Sequence, residues 1–307
     1  MSERCENIIY SPLNLVLHLV ALLPFGALYK ISDVLCFIVY RVIGYRRRVV
    51  RKNLTECFPD KTAEDILALE REFYQHFTDY FFETVKLLHV SDAEMRRRCV
   101  FEGADLIDEA FDEGRSIIMY ASHYGNWEWL TSVTLWTRHR AFADAVYAQV
   151  YRPLNNRWFD RFFLNLRGRF HSVCLSKKTV FRDLLRYRRD GKLVVTGFIS
   201  DQHPNVNDQG HVIRFLNHDT AMITGAEVII RKLDYVALHF DMEKVSRGHY
   251  KVTIAPICHD PKLMPVGEIT DRYAQRLERR IMGAPQYWLW THNRWKHKVN
   301  IQHDDNN

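Results

Sequence analysis

Short apolar runs alternate with amphipathic stretches along most of this 307-residue chain. Five runs rich in β-branched and aromatic residues are predicted strands: 116–121, 145–150, 193–200, 235–241 and 249–255. Around them, apolar residues recur at helical spacing, which predicts helices over 104–113, 126–136, 155–166, 177–189, 220–232 and 268–282. This alternation predicts an α/β fold in which helices cover the faces of a sheet.

A longer helix is predicted upstream of these elements. Thr62 is a candidate N-cap, and Asp65 stands three residues after it. From there to residue 88, apolar residues recur at helical spacing: Ile66, Leu69, Phe73, Phe77, Phe81 and Val85. A stripe of this kind most simply faces the core, and lining a ligand groove is the alternative.

The chain begins with an apolar region, 13–45, that proline, glycine and charged residues interrupt at positions 24, 26, 30 and 33. It lacks the run of about 20 uninterrupted apolar residues that spans a bilayer. We therefore expect two short helices that lie in one leaflet. The alternatives are a single tilted transmembrane helix over 13–29 and a helical hairpin buried against the main domain.

A basic cluster follows this region directly: Arg46, Arg47, Arg48, Arg51 and Lys52. Each basic residue near an anionic leaflet contributes about 1 kcal/mol of binding. Because the cluster adjoins an apolar segment, it favours an anionic membrane surface over nucleic acid. The sequence predicts a membrane-associated helical segment over 1–45, one catalytic domain over 46–300 and a polar tail over 301–307.

Composition narrows the class of protein. Hydrophobic residues make up 47% of the chain, which is too many for a disordered protein. The six cysteines show no Cys-x-x-Cys spacing, so they indicate reduced thiols rather than a disulfide framework or a zinc site. His203, Asp208 and His211 match no strong ligand pattern, and we expect no bound metal.

The segment Ser122–Glu128 carries the clearest chemical signal, because it joins a predicted strand to a predicted helix. Ligands of open α/β sheets bind at that carboxyl edge. His123 can act there as a general base, and Glu128 can accept the other ring N–H and hold the imidazole in orientation. The two side chains can meet only if the chain bends at Gly125 and Asn126. The backbone amides of that turn are candidates for supporting an oxyanion.

Other polar residues follow predicted strands and therefore share this edge. Arg152 follows the strand over 145–150, and its planar guanidinium suits a phosphate oxygen, with a surface salt bridge as the alternative. Asp201 and Gln202 follow the strand over 193–200 and are candidates for positioning a substrate. A loop-start Asp that satisfies its own turn amides is the alternative there. Arg169 is a further candidate.

The segment Ser122–Glu128 resembles the His-four-residues-acidic motif of lysophospholipid acyltransferases. With Glu as its acidic residue, it is similar to the lipid A biosynthesis acyltransferases, the late lauroyl and myristoyl transferases of Gram-negative bacteria. Further segments resemble blocks of that family in the same order: 151–156 with 167–169, 201–202, 224–225, 285–290 and 294–296. The resemblance extends over nearly the whole chain.

The resemblance implies a glycerolipid-acyltransferase-like sheet and a location at the cytoplasmic face of the cell inner membrane. It implies acyl carrier protein as the acyl donor, a hydroxyl of a lipid A precursor as the acceptor, and no metal or organic cofactor. His123 would deprotonate the hydroxyl and Glu128 would orient His123. The remaining substrate-binding candidates are Asn126, Arg152, Arg169, Asp201 and Gln202.

Two alternatives to this function stay open. The acceptor could instead be an amino-acid-containing lipid or a glycerophospholipid. In a different class of function, the chain would be a catalytically silent module that binds lipid at the membrane surface. An assay of acyl transfer separates that module from an enzyme, and the identity of the acylated lipid separates the acceptors.

Overall fold

The computed structural model describes residues 3–141, 143, 145–204 and 210–296. Within these ranges the α-helices are α1 Glu3–Leu22, α2 Phe25–Phe37, α3 Arg47–Cys57, α4 Ala63–Lys86, α5 Asp92–Arg98, α6 Asp105–Asp112, α7 Arg157–Arg167, α8 Val180–Arg189, α9 Gly225–Leu233 and α10 Glu268–Gly283. The other helical segments are the π-helix Ile38–Ile43 and the 3-10 helices Trp127–Leu135, Gly168–Phe170 and Pro285–Tyr287. The predicted tail, 301–307, and the end of the predicted catalytic domain, 297–300, lie outside the described residues.

The strands are β1 Cys99–Glu102, β2 Ile117–Ala121, β3 Ala145–Tyr151, β4 Val173–Ser176, β5 Leu193–Ile199, β6 Val212–Phe215, β7 His218–Ala221, β8 Val236–Ser246 and β9 His249–Cys258. Seven of them form a sheet in the order β1-β9-β8-β2-β5-β3-β4. Its neighbouring pairs are parallel except β8 and β9, which are antiparallel. The predicted α/β architecture, a sheet flanked by helices, is confirmed, and the structure shows that this sheet is mostly parallel.

The prediction of a helix over 220–232 is wrong at its start. Thr220 and Ala221 belong to β7, which pairs antiparallel with β6, and α9 begins only at Gly225. Leu216 and Asn217 make the turn between the two strands with left-handed φ angles of 47° and 65°. Pairing with β6 supplies partners for the backbone groups of β7, and this outweighs the helical pattern of its side chains.

Side chains alternate along each strand, so the two faces of the sheet carry separate cores. The front face carries Ile117, Met119, Ala121 and Val195 and packs against α6 and the 3-10 helix Trp127–Leu135. The back face carries Ile118, Tyr120, Val194 and Phe198 and packs against α8, α9 and α10. A cavity at the end of these strands can therefore be lined from either side of the sheet.

The N-terminal region forms two helices that break at Pro24, so residues 13–29 are not one continuous helix. Phe25 and Leu28 are buried, and Lys86 of α4 donates to the carbonyls of Ala21 and Leu23 at the end of α1. The opposite side carries apolar side chains that are more than half exposed: Leu15, Val16, Leu19, Leu22, Val34, Phe37, Val42 and Ile43. Among the described residues, no helix is long and apolar enough to cross a membrane.

The basic cluster after this region is partly used by the fold. Arg47 and Arg51 both pair with the fully buried carboxylate of Glu70, at 3.1 and 2.7 Å. Arg46 donates to the carbonyl of Thr291. Arg48 remains exposed. The cluster therefore offers fewer free charges to an anionic surface than the sequence suggests.

Helix α4 joins this region to the sheet and begins at its predicted cap. The Thr62 hydroxyl accepts from the backbone N–H of Asp65, and the Asp65 carboxylate accepts from that of Thr62. Of the predicted stripe, Ile66, Phe73 and Val85 are buried and Leu69 and Phe77 are partly buried, but Phe81 is 53% exposed. The helix thus presents one apolar face to the core beside the site.

Candidate active site

Three candidate residues follow neighbouring strands. His123 lies two residues past β2, Asp201 two past β5 and Arg152 one past β3. Because β2 pairs with β5 in parallel, with Ala121 opposite Ile199, both chains leave the sheet side by side. The structure brings His123 and Asp201 together at the carboxyl edge.

Asp201 is 2% exposed, and three N–H groups converge on its carboxylate. One oxygen accepts from Nδ1 of His123 at 2.7 Å; the other accepts from the His123 backbone N–H at 2.9 Å and from the indole N–H of Trp288 at 2.8 Å. Burial by itself raises the pKa of Asp201, but the attraction of the His123 imidazole in its protonated form and the hydrogen bonds from His123 and Trp288 outweigh burial and lower the pKa below its ordinary value. An ionised Asp201 keeps the imidazole proton on Nδ1 and leaves Nε2 as a base.

Glu128 is the residue that the sequence expectation assigned to orient His123. In the structure its buried carboxylate accepts two hydrogen bonds from Arg167, from Nε at 2.8 Å and from Nη2 at 2.7 Å. The hydrogen bond of His123 Nδ1 is made instead with Asp201, from a strand that lies next in the sheet. Glu128 and His123 nevertheless line the same pocket.

The turn after His123 requires Gly125. Its φ is 61°, and a Cβ there would lie 2.6 Å from Sδ of Met242. The Gly125 N–H donates to the carbonyl of Tyr287 at 2.9 Å, and the Asn126 N–H donates to Sδ of Met242 at 3.1 Å. Both amides therefore have acceptors within the protein, which corrects the expectation that they support an oxyanion.

Asn126 also differs from the expectation that it binds substrate. It is fully buried, and its side-chain amide donates to Oε2 of Glu83 at 2.9 Å. The same carboxylate accepts from the hydroxyls of Tyr250, at 2.7 Å, and of Tyr29 in α2, at 3.0 Å. Asn126 thus holds the turn after His123 from inside the protein, and Glu83 joins that turn to α2.

His123 opens onto a pocket of about 930 Å³. Its polar wall contains Glu128, Arg152, Arg167 and Gln202, and Nε2 of Gln202 lies 3.3 Å from Nε2 of His123. Much of the remaining wall is apolar or aromatic and includes Leu130, Val133, Tyr147, Val195, Phe198 and Phe240. A cavity whose lining combines cationic groups with many apolar side chains suits an amphiphilic substrate.

Comparison with known proteins identifies the family. The model of the bacterial lipid A biosynthesis acyltransferases matches residues 6–297. The chain belongs to this family. It is 25% identical over 274 residues to a lipid A biosynthesis palmitoleoyltransferase of Escherichia coli (strain K12), covering 86% of this chain and 85% of the relative. It is 23% identical over 287 residues to a lipid A biosynthesis lauroyltransferase of the same organism, covering 92% and 89%.

The three arginines of the segments that resemble this acyltransferase family have different surroundings. Arg152 is exposed, lines the pocket and has no ion pair among the described residues. Arg167 donates two hydrogen bonds to Glu128. Burial by itself lowers the pKa of Arg167, but these hydrogen bonds and the charge of Glu128 raise it above its ordinary value. Arg169 donates to the carbonyl of Val90 and to Asp92 at 2.9 Å each, so it is tied to the start of α5 and not to the pocket.

Sequence reasoning missed several partners in this candidate site. It did not pair Asp201 with His123, although both follow strands, and it did not assign Trp288 to Asp201. An Asp and a His that each follow a predicted strand could have suggested the pairing. It could not be assigned because the sequence does not show which strands are neighbours in the sheet. No group of three or more His, Cys, Asp or Glu within the described ranges could hold a metal, and Asp208 lies outside those ranges.

Proposed function

We propose that this lipid A acyltransferase moves a fatty acyl chain from acyl carrier protein to a hydroxyl of a lipid A precursor, with His123 as the general base. The observation that carries the proposal is the 2.7 Å hydrogen bond that His123, which lines the amphiphilic pocket, donates from Nδ1 to the buried, ionised Asp201 behind it. A base held in one tautomer beside apolar walls matches transfer between a thioester and a lipid hydroxyl.

The proposed reaction is a direct transfer. Nε2 of His123 takes the proton of the acceptor hydroxyl while the oxygen attacks the thioester carbonyl. The new C–O bond forms, the C–S bond breaks, and the departing thiolate takes the proton back from His123. Asp201 stabilises the imidazolium that exists between these steps and remains a carboxylate throughout.

Glu128 and Arg167 contribute as a pair. A bidentate contact of this kind fixes both side chains, and the charge of the half-buried Arg167 compensates that of the buried Glu128. In our proposal Glu128 acts on the site by placing Arg167. Arg152, which is exposed at the same wall, is proposed to bind a phosphate of the acceptor or of the carrier arm.

We infer that the enzyme works at the cytoplasmic face of the inner membrane. The exposed apolar side chains of α1, α2 and the π-helix form a surface that an interfacial helix would bury in a leaflet. A lipid acceptor reaches the pocket most directly if the protein lies on the membrane that holds the lipid.

The test is an assay with the purified full chain, acyl carrier protein carrying a fatty acyl group, and a panel of acceptors read by mass spectrometry. The panel contains a lipid A precursor, an amino-acid-containing lipid and a glycerophospholipid. We expect acylation of the lipid A precursor and its loss in His123→Ala. Acylation of another lipid would reassign the acceptor, and binding of lipid without any transfer would favour a silent module.

A further inference from the structure

A glycine lies in the middle of the sheet, at the floor of the pocket. Gly197 belongs to β5, where it is paired with Met119 of β2 on one side and Gln149 of β3 on the other. A residue of an interior strand is normally covered by the elements that pack on the sheet. Gly197 is instead partly exposed and lines the cavity. A glycine inside a strand often marks a bulge, a bend or a place where a ligand or another backbone comes close, and the regular pairing of Gly197 shows no bulge.

The space above Gly197 is open. A Cβ built there would meet only the carbonyl oxygen of Ala148, at 3.7 Å, and Cβ of Gln149, at 4.0 Å, which are ordinary contacts. No left-handed φ demands glycine here. Neither the backbone nor the packing of the protein therefore explains the missing side chain.

The strands divide the pocket into two branches. Residues of the front face, Tyr147, Val195 and Gly197, line one branch together with Leu130 and Val133 of the 3-10 helix above them. Residues of the back face line the other: Ala148, Phe198, Ala226 and Ile229. Because the sheet separates its two faces, the branches can join only past the carboxyl ends of the strands, where His123 lies.

The two branches differ in closure. In the front branch the apolar side chains of Leu130, Val133, Tyr147, Val195 and Phe240 are each 8% exposed or less, and Gly197 is partly exposed to the cavity. The back branch has residues that are about as buried, with Ala148, Phe198, Ala226 and Ile229 at 9% exposed or less, but it also includes Phe181, which is 37% exposed, and the exposed Gly225. A closed apolar branch fits a single unbranched chain and limits its length, whereas an open one fits a larger lipid.

We propose that the front branch holds the acyl chain that is transferred, and that Gly197 determines how long a chain this branch accepts. The inference rests on the proposed acyl transfer, since it assigns the donor's chain to one part of that site. The acceptor lipid then lies against the back branch and the exposed Arg152. Any side chain at position 197 would occupy the path of the donor chain.

The experiment compares Gly197→Val with wild type. Valine suits a strand, and the Cβ contacts are ordinary, so the variant should fold. Acyl transfer is measured with acyl carrier protein loaded with saturated chains of graded length. We expect Gly197→Val to favour shorter donors and to lose at least about tenfold in kcat/KM for the longest donor that wild type uses, because one methylene in an apolar pocket changes kcat/KM by about 10–200-fold.

Gly225→Val is the matched control. Position 225 lines the same pocket from the other branch, and a Cβ there meets nothing within 4 Å. We expect this variant to raise the KM of the acceptor and to leave the order of preference among donors unchanged. If Gly225→Val changes the donor length profile and Gly197→Val does not, the assignment of the branches is overturned.

Direct binding of free saturated fatty acids, measured by calorimetry, separates this inference from the proposed function. Gly197→Val should weaken the binding of long fatty acids and spare short ones, whether or not transfer occurs. A wild-type protein that binds fatty acids but transfers none would refute the proposed function. The assignment of the branches would then be tested by the binding data alone. Equal length profiles of Gly197→Val and wild type, in binding and in transfer, would overturn the inference.

Discussion

Replacing Asp201 by Asn tests the centre of the proposed mechanism. Three N–H groups converge on Asp201: the Nδ1 and backbone N–H of His123 and the indole N–H of Trp288. A carboxylate accepts from all of them, but an amide has one oxygen and one NH₂ group. The NH₂ group must therefore face at least one donor. If it faces Nδ1, the imidazole has to hold its proton on Nε2 and can no longer act as a base.

The expected loss is large because the site is buried. A hydrogen bond to a charged group contributes about 1.5–3 kcal/mol, and here the charge that stabilises the imidazolium disappears as well. We expect turnover to fall about 10²–10⁴-fold, the range for loss of general base catalysis. That corresponds to about 3–5 kcal/mol in the activation barrier. Steady-state kinetics with acyl carrier protein as donor measures it, and circular dichroism checks the fold.

Glu128→Gln is the matched change from carboxylate to amide at the other candidate. It leaves the guanidinium of Arg167 without its counter-charge, so we expect a loss of about 3 kcal/mol in the free energy of unfolding. A folded Asp201→Asn protein with near-wild-type turnover would refute the reasoning. A Glu128→Gln protein that keeps its stability but loses turnover would return the orienting role to Glu128.

Three further expectations follow from the geometry. Arg152→Lys should lower kcat/KM about tenfold or more for phosphorylated substrates, because an ammonium cannot make a two-pronged contact, and equal activity would make Arg152 structural. The double variant Arg48→Gln with Lys52→Gln should weaken sedimentation with anionic vesicles. Arg51→Gln should instead lower the unfolding free energy, because it removes the ion pair with Glu70, and the reverse pair of results would contradict this contact. Burial lowers the pKa of His239 to about 4, whereas the pKa of histidine in the unfolded chain is about 6.5. The stability that neutral His239 contributes is therefore complete above pH 6.5 and is lost as the pH falls towards 4. His239→Gln should therefore reduce the loss of unfolding free energy between pH 7 and pH 5 by about 2 kcal/mol in denaturant titrations, and unchanged pH profiles would count against this account.

Several elements of the structure were predicted correctly from short stretches of sequence. The spacing of Thr62 and Asp65 predicted a cap, and the cap is present because both partners lie within one turn. The apolar run 116–121 predicted β2, and the polar segment after it placed His123 at the end of that strand. The alternation of strands and helices predicted a sheet covered by helices. These features depend on residues close together in the chain, which is why a pattern of hydrophobic and polar positions was enough to find them.

The partners of the site were decided by the tertiary structure. Asp201 is 78 positions from His123, and the two meet because β5 lies beside β2 in the sheet. Arg167 is 39 positions from Glu128 and takes both of its oxygens. A hydrophobic pattern shows which face of a strand is buried but not which strand is its neighbour, since any apolar face can cover any other. Strand order and the directional demands of buried polar groups made these pairings, and both arise only when the whole sheet assembles.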